Sequence, residues 1–386
     1  MGVWALGLVS MFMDTSSELV HSLLPVFMAS VLGASVTTIG VIEGVAEATA
    51  SFAKVFSGAI SDYFGKRKLF VILGYGLAAI TKPLFPLASS IGWVFTARFL
   101  DRIGKGIRGA PRDALVADIT PLDQRGAAYG LRQSLDSVGA FVGPSLALVF
   151  MAWFANDMRA VLWVAVVPAF IAVAILVILV REPRRVDPPA GPRLPISRID
   201  VRRLPRRYWL IVLLGAVFGL ARFSEAFLVL RALDVGLGPG YVPVVLIAMN
   251  VVYAVAAYPA GALADRFSRR KILVAGLVVL VAADAMLAGA IAPVPVLIGS
   301  ALWGLHMALT QGLLSALVAE STPADLRGTA FGVFNLFNGG ALLLASVIAG
   351  SLWTAIGPSA TFAAGAIFAS LTAFGLLAYR TGAQAR

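Results

Sequence analysis

The chain has 386 residues, of which 59% are hydrophobic and 13% charged, with a mean hydropathy of +0.89. Soluble domains run nearer about 45–50% apolar and about 25% charged, so a water-facing globule is excluded. The net charge of +11 would point to nucleic acid in a soluble protein, and the absence of cysteine removes disulfides, thiolate metal sites and cysteine nucleophiles.

Twelve apolar stretches follow in chain order. The first six lie at about 3–31, 36–61, 69–89, 91–117, 126–154 and 158–181. The other six lie at about 208–233, 241–263, 272–291, 294–319, 329–353 and 358–380. Each is close to the roughly 20 residues that cross the hydrocarbon as a helix. The alternation expected of a membrane barrel strand is missing. The predicted fold class is therefore an all-α membrane protein of 12 transmembrane helices. Residues 1–181 form an N-terminal six-helix bundle and 208–386 a C-terminal one. No cleavable signal peptide is expected, because the first stretch carries Asp14 and Glu18 and has no basic segment before it.

The loops between these stretches sort by charge. One set holds Lys66, Arg67 and Lys68, then Arg125, then Arg266, Arg269, Arg270 and Lys271, then Arg327. In the alternate set the only basic residue is Arg159. Basic loops stay in the cytoplasm, so both termini are expected there, in an inner or plasma membrane. The same sorting accounts for the net charge without nucleic acid, and the expected surroundings are a lipid bilayer. The stretch from Arg181 to Arg207 holds nine Arg and six Pro against three acids. It reads as a cytoplasmic linker over 182–207, since proline forbids a continuous helix and the charges hold the segment in water.

The two halves repeat. Gly58, Asp62, Gly65 and Lys66–Lys68 lie between the second and third stretches, and Gly261, Asp265, Arg266 and Arg269–Lys271 recur 203 residues later. Asp118-Ile-Thr-Pro-Leu-Asp-Gln-Arg-Gly126 recurs as Glu320-Ser-Thr-Pro-Ala-Asp-Leu-Arg-Gly328, at an offset of 202. Two motifs recurring at nearly one spacing, in matching topological slots, mark a parallel repeat about an axis along the membrane normal.

At these residues the chain resembles the major facilitator superfamily, over its whole length. Gly58, Asp62, Gly65, Lys66, Arg67 and Lys68 match the family's loop signature, with Tyr63 where an Arg is usual. Arg98, Gly104 and Gly106 match its fourth-helix signature. Gly130, Gly139, Gly143 and Pro144 have the spacing of its antiporter signature in the fifth helix, with Ala147 in place of a Gly. The resemblance implies two bundles related by a pseudo-twofold axis that rock about a central cavity, a hinge in the fifth helix at Gly139, Gly143 and Pro144, and export by antiport. It supplies no substrate.

Physical readings of the same residues stand beside it. Carboxylates such as Asp62 and Asp265, just past helix ends, can accept hydrogen bonds from a neighbouring helix N-terminus. Cations of the same loops can pair with Asp118, forming a latch on that face. Charged residues in hydrocarbon cost about 2.5–3.5 kcal/mol each on insertion scales, so they face a cavity or pair with one another. Asp14, Glu18 and His21 share one face of the first helix, and Glu43, Glu47, Ser51 and Lys54 one stripe of the second. The fourth helix adds Arg98, Asp101, Arg102, Lys105, Arg108 and Arg112, and the fifth adds Arg132 with Asp136. Charge on closely placed carboxylates is costly in low dielectric, the property a proton carrier uses. Direct binding of a cation and simple ion pairing with the fourth-helix arginines are the competing readings. Asp14, Glu18, Glu43, Glu47, Arg98, Asp101, Arg102 and Asp136 are accordingly the candidates for proton coupling. His21, Arg222, Glu225, Asn250, His306, Gln311 and Asn335 are the candidates for substrate contact. Lys82 and Asp284 are given no site role.

The expected function is secondary transport of a small solute by alternating access, as proton-coupled export by a monomer, with neither metal nor cofactor. The alternative is import of a metal ion, a metal chelate or another small metabolite. Nothing in the sequence supports an enzyme: there is no phosphate-cradling glycine loop and no large extramembrane domain.

Overall fold

A computed structural model describes residues 2–182, 196, 198–323 and 326–378, apart from a few side chains within those ranges. Twelve membrane-spanning helical rods fill it. In the first half they are α1 (Gly2–Val26, continued by a wider π turn over Phe27–Val31), α2 (Val36–Phe64), α3 (Arg67–Thr81, with a 3-10 turn at Lys82–Leu84), α4 (Ile91–Asp118), α5 (Arg125–Trp153) and α6 (Met158–Val164 and Val166–Leu179). In the second half come α7 (Arg206–Ala221 and Ala226–Asp234), α8 (Val244–Arg266), α9 (Arg269–Ala288), α10 (Pro293–Thr310 and Leu313–Ser321), α11 (Arg327–Ala355) and α12 (Pro358–Ala378). Most of the linker lies outside the described residues; a single helical turn, Arg198–Arg202, precedes α7.

Eight of the rods, α5 to α12, are long and apolar enough to cross a membrane on length and composition alone. The other four include α1, α2 and α4, whose polar stripes dilute their hydropathy, and the shorter α3.

Local chemistry sets the ends. The Ser35 and Ser90 side chains accept from the backbone N–H groups of Thr38 and Trp93 at the starts of α2 and α4. Asp157 accepts from Arg159 and Ala160 at the start of α6. Gly65, at φ +64°, closes α2 in the left-handed region that glycine adopts without strain. Three predicted spans prove discontinuous. The seventh unwinds between Ala221 and Ala226, the tenth breaks at Gln311 and Gly312, where Gly312 takes φ +75°, and the sixth is interrupted at Ala165. A hydropathy pattern does not register such breaks, because the side chains on either side stay apolar.

Small residues decide which helices approach closely. Gly139 and Gly143 of α5 lie against α1: a methyl group built on Gly143 would fall 2.6 Å from the Thr15 carbonyl oxygen. Gly104 packs α4 on α3, and Gly106 packs α4 on α2. The repeat is visible in the packing, since Gly74 of α3 sits on Gly104 and Arg108 of α4, and Gly276 of α9 sits on His306 and Thr310 of α10, all at an offset of 202. α5 is continuous through Pro144, so the expected hinge there takes the form of a close-packed, unbroken helix.

The halves meet mainly where α2 lies along α11. Gly350 packs on Val36 and Thr37, Gly40 on Ser346, Gly44 on Leu343, and Gly339 on Ser51 and Phe52. Thr37 and Thr354 bring their hydroxyls to 2.8 Å. On the opposite side Asn250 of α8 donates to the Ala140 carbonyl of α5 at 3.1 Å, and Gly240 meets Asn156. These contacts lie at mid-membrane and towards the face without basic loops. Further along α2, towards the basic loops, Phe56, Ile60 and Phe64 are exposed.

Candidate functional site

The intramembrane charges divide into a locked set and an open set. In the locked set, Arg98 of α4 grips Glu43 of α2 with two bonds, Nη2 to Oε2 at 2.7 Å and Nε to Oε1 at 3.1 Å. Glu43 is fully buried and Arg98 only 1% exposed. The close approach of α2 and α4 at Gly106 makes this geometry available. His21 stands 3.8 Å from Glu43 and 3.6 Å from Glu18, bridging α1 to the pair. The Ser224 hydroxyl, from the unwound stretch of α7, donates to Glu43 at 3.4 Å and so ties the second half to the same carboxylate. One turn along, Arg102 lies 3.2 Å from Glu47. Arg132 pairs with Asp136 along α5 at 2.6 Å. A buried charge is tolerable when it is both paired and hydrogen-bonded, and the Glu43–Arg98 pair meets that condition.

The open set surrounds a central cavity between the halves. Its largest compartment encloses about 500 Å³ and is lined by Asp14 and Glu18 of α1, Lys105 of α4, Gln133 and Asp136 of α5, Arg222 and Glu225 of α7, Asn250 and Tyr253 of α8, Gln311 of α10, and Asn335 and Asn338 of α11. A second compartment reaches His21, Glu47, Arg102, Phe223 and Trp303. A third runs along α2 and α4 by Lys54, Arg108 and Arg112, towards the basic face. Lys105 and Glu18 line all three. Among the described residues, Asp14, Lys105, Arg222 and Glu225 make no ion pair within 4.0 Å, and Arg222 rests instead over the Phe218 ring at 5.6 Å. Two carboxylates and two cations thus face one another across a gap, with Glu18 beside them held only by His21. No group of three or more metal-ligating side chains among the described residues is placed to hold a metal ion.

Most of the candidate residues read from sequence converge here, but several do not. Glu43 and Arg98 are sealed in their pair and line none of these compartments. Asp101 turns away from the cavity to Lys82 of α3, whose Nζ lies 2.9 Å from Asp101 Oδ1 and 3.0 Å from Ser17 Oγ. Lys82 is therefore a buried ion-pair partner at the α1–α3–α4 junction, which its position on an outer helix hid. His306 is wholly buried, with Nδ1 2.8 Å from the Gly276 carbonyl and its ring edge-on to Phe218, so it packs α10 on α9 and lines none of these compartments. Tyr253 and Lys105 were missed as cavity residues, although Lys105 lies on the same helix as Arg98 and Arg102. Tyr253 hydrogen-bonds Gln311 at the α10 break.

On the basic face, Arg67 pairs with Asp118 and donates to the Ala114 carbonyl at 2.9 Å. Arg269 pairs with Glu320 in the second half, the same contact displaced by 202 residues. Both pairs join the α2–α3 or α8–α9 loop to the end of α4 or α10 within one half. Gly58 packs near Ala110 of α4, whereas a methyl group built on Gly261 would meet nothing within 4 Å among the described residues. The side chains of Asp62, Asp265 and Arg266 lie outside the described residues.

The comparisons with known proteins agree with this geometry. The sequence profile of the Major Facilitator Superfamily matches residues 6–249 and again 226–385. An MFS-type transporter of Methanocaldococcus jannaschii, MJ1317, is 33% identical over 97% of this chain and 94% of its own. Multidrug resistance protein 1 of Bacillus subtilis is 27% identical over 43% of this chain and 42% of its own. Among solved structures, the nucleoside transporter NupG superposes with a TM-score of 0.80 at 14% identity, over 98% of this chain and 99% of that one. A bacterial homologue of the lysosomal transporter Spinster, inward-facing and occupied, superposes with a TM-score of 0.76 at 14% identity, over 97% and 95%. With its duplicated twelve-helix architecture and its charged cavity between the halves, the chain belongs to the major facilitator superfamily of membrane transporters.

Proposed function

We propose that this transporter exports a small polar organic solute in exchange for protons, with both termini on the cytoplasmic side of the inner membrane. The observation that carries the reading is the set of carboxylates, Asp14, Glu18 and Glu225, that face the cavity without a cation within ion-pair distance, apart from the His21 contact of Glu18. A carboxylate in a low-dielectric cavity resists remaining charged, so taking up or losing a proton changes the stability of each cavity-facing state. Glu18 reaches His21, which in turn reaches Glu43, the carboxylate that Ser224 touches from the other half. A change of charge at Glu18 therefore acts on a contact between the halves. The halves meet on the face without basic loops while a cavity compartment extends towards the basic face, which describes a cytoplasm-facing state.

The cavity lining favours a solute that carries both charge and hydrogen-bonding groups. Lys105 and Arg222 offer sites for an anionic group, Glu225 and Asp14 for a cationic one, and Asn335, Asn338 and Gln311 for neutral contacts. Export agrees with the fifth-helix signature and with the multidrug resistance relative, which matches under half of the chain.

Energised inside-out vesicles, screened with a panel of amphoteric solutes, test the reading. Solute-dependent dissipation of the proton gradient is expected with the wild-type protein. The combined Asp14→Asn, Glu18→Gln and Glu225→Gln protein is expected to lose it while still binding solute. Gradient-driven accumulation that survives all three replacements would rule the coupling scheme out.

A further inference from the structure

Asp284 stands apart from the charges described so far. It lies on α9, is fully buried, and neither of its carboxylate oxygens has a hydrogen-bond partner. A methyl group built on Gly365 of α12 would come within 2.6 Å of Asp284 Oδ2 and 2.9 Å of the Phe223 ring, so carboxylate, glycine and ring meet at one point.

The repeat shows what is missing. At the offset of 202 that superposes the packing of Gly74 on that of Gly276, Asp284 occupies the position of Lys82. The place of its partner Asp101 falls to Trp303. The first half closes this junction with a buried ion pair, whereas the second keeps one ionisable group and has an indole at the partner's position in the repeat. An isolated carboxylate in a dry protein interior costs far more than a neutral acid, and nothing here offsets that cost.

The charged groups around it are all otherwise engaged or turned away. α12 carries no titratable residue among its described positions. On α10, His306 is committed to the Gly276 carbonyl. On α7, Arg222 and Glu225 face the cavity, and Arg231 is held by Asp234 and the carbonyl oxygens of Leu287 and Ala290. A metal ion needs several oxygen ligands, while the neighbours here are a glycine and a phenyl ring. A proton needs none of these.

We propose that Asp284 is a proton-binding site outside the cavity, occupied in this cytoplasm-facing state and shut off from cavity water by Phe223. The Phe223 and Trp303 rings meet at a tilt, with centroids 5.2 Å apart, and both line the inner cavity compartment, while the Asp284 carboxyl lies beside Phe223 at Gly365. Phe223 sits in the unwound stretch of α7, the part of that helix least restrained by its own backbone bonds. Movement of this stretch gives the carboxyl access to water, so proton exchange at Asp284 follows the conformational cycle and does not require Asp14 or Glu18.

Infrared spectroscopy of the purified full chain in liposomes at neutral pH tests this directly. The wild type is expected to show an un-ionised carboxylic acid band that Asp284→Asn removes, the asparagine being close in shape to the neutral acid. The same band should appear when Asp14, Glu18 and Glu225 are neutralised, which separates this site from the cavity scheme. On transfer to heavy water the band should shift slowly in the wild type and severalfold faster in Phe223→Ala. If Asp284→Asn leaves the acid bands unchanged, the carboxyl is ionised and the site does not exist as described. If Phe223→Ala leaves the exchange rate unchanged, the ring does not gate it. Should Asp284→Asn fail to accumulate, labelling the aspartate carboxyls isotopically identifies the band in the wild type alone.

Discussion

Arg98 and Glu43 form a deeply buried pair held by two hydrogen bonds, and their energetics are asymmetric. Together they satisfy one another; with one removed, the other is an uncompensated charge among α1, α2 and α4. Glu43→Gln or Arg98→Ala is therefore expected to destabilise the folded protein by about 3–5 kcal/mol. Replacing both with apolar residues of similar volume should recover much of that loss. Thermal unfolding in detergent checks both expectations, and equal damage from the single and double changes would count against the pair. Arg102 and Glu47 should respond more weakly, because the Glu47 side chain is 33% exposed to the cavity and water screens the contact.

Among the elements, the α1–α5 contact bears most directly on function. Gly139 and Gly143 put the α5 backbone against α1 where Asp14 and Glu18 arise. A methyl group on Gly143 would meet the Thr15 carbonyl at 2.6 Å, the Leu19 amide at 2.8 Å and the Glu18 Cβ at 2.9 Å, two of these backbone atoms that cannot swing aside. Gly143→Ala is expected to cost about 1–3 kcal/mol in stability and to displace Glu18. Gly261→Ala, whose added methyl group meets nothing within 4 Å among the described residues, should be silent. Comparing unfolding temperatures of the two variants decides whether these glycines serve close packing. The broken helices α7 and α10 follow the same logic, since irregular backbone at membrane depth persists where it lines a cavity.

For the molecule as a whole, the proposed transport cycle requires the α2–α11 contact at the closed face to open. Thr37 and Thr354 lie across it with hydroxyls 2.8 Å apart, and the chain has no cysteine of its own. A Thr37→Cys and Thr354→Cys double variant, once oxidised, is expected to hold the halves in the state described and stop transport, and reduction should restore it. Transport that continued at the wild-type rate with the disulfide formed would mean that this face does not open.

The sequence by itself determined the number of crossings, their approximate limits, the duplication and the family, because hydropathy and loop charge respond to the bilayer and the motifs recur at fixed offsets. Charge and amide in hydrocarbon also marked Asp14, Glu18, Glu225 and Asn335 as site candidates, and these four line the cavity, whereas Glu43, Arg98, Asp101 and His306, marked in the same way, do not. Only the tertiary structure decided which charges are spent on each other. Glu43 and Glu47 differ by one turn of one helix, yet one is sealed against Arg98 and the other borders the cavity, because glycines on α4 and α11 fix how near each neighbour comes. Lys82 and Asp284 look alike as lone ions on outer helices. Their difference, a partner at Asp101 against an indole at Trp303, depends on residues far away in sequence that packing alone brings alongside.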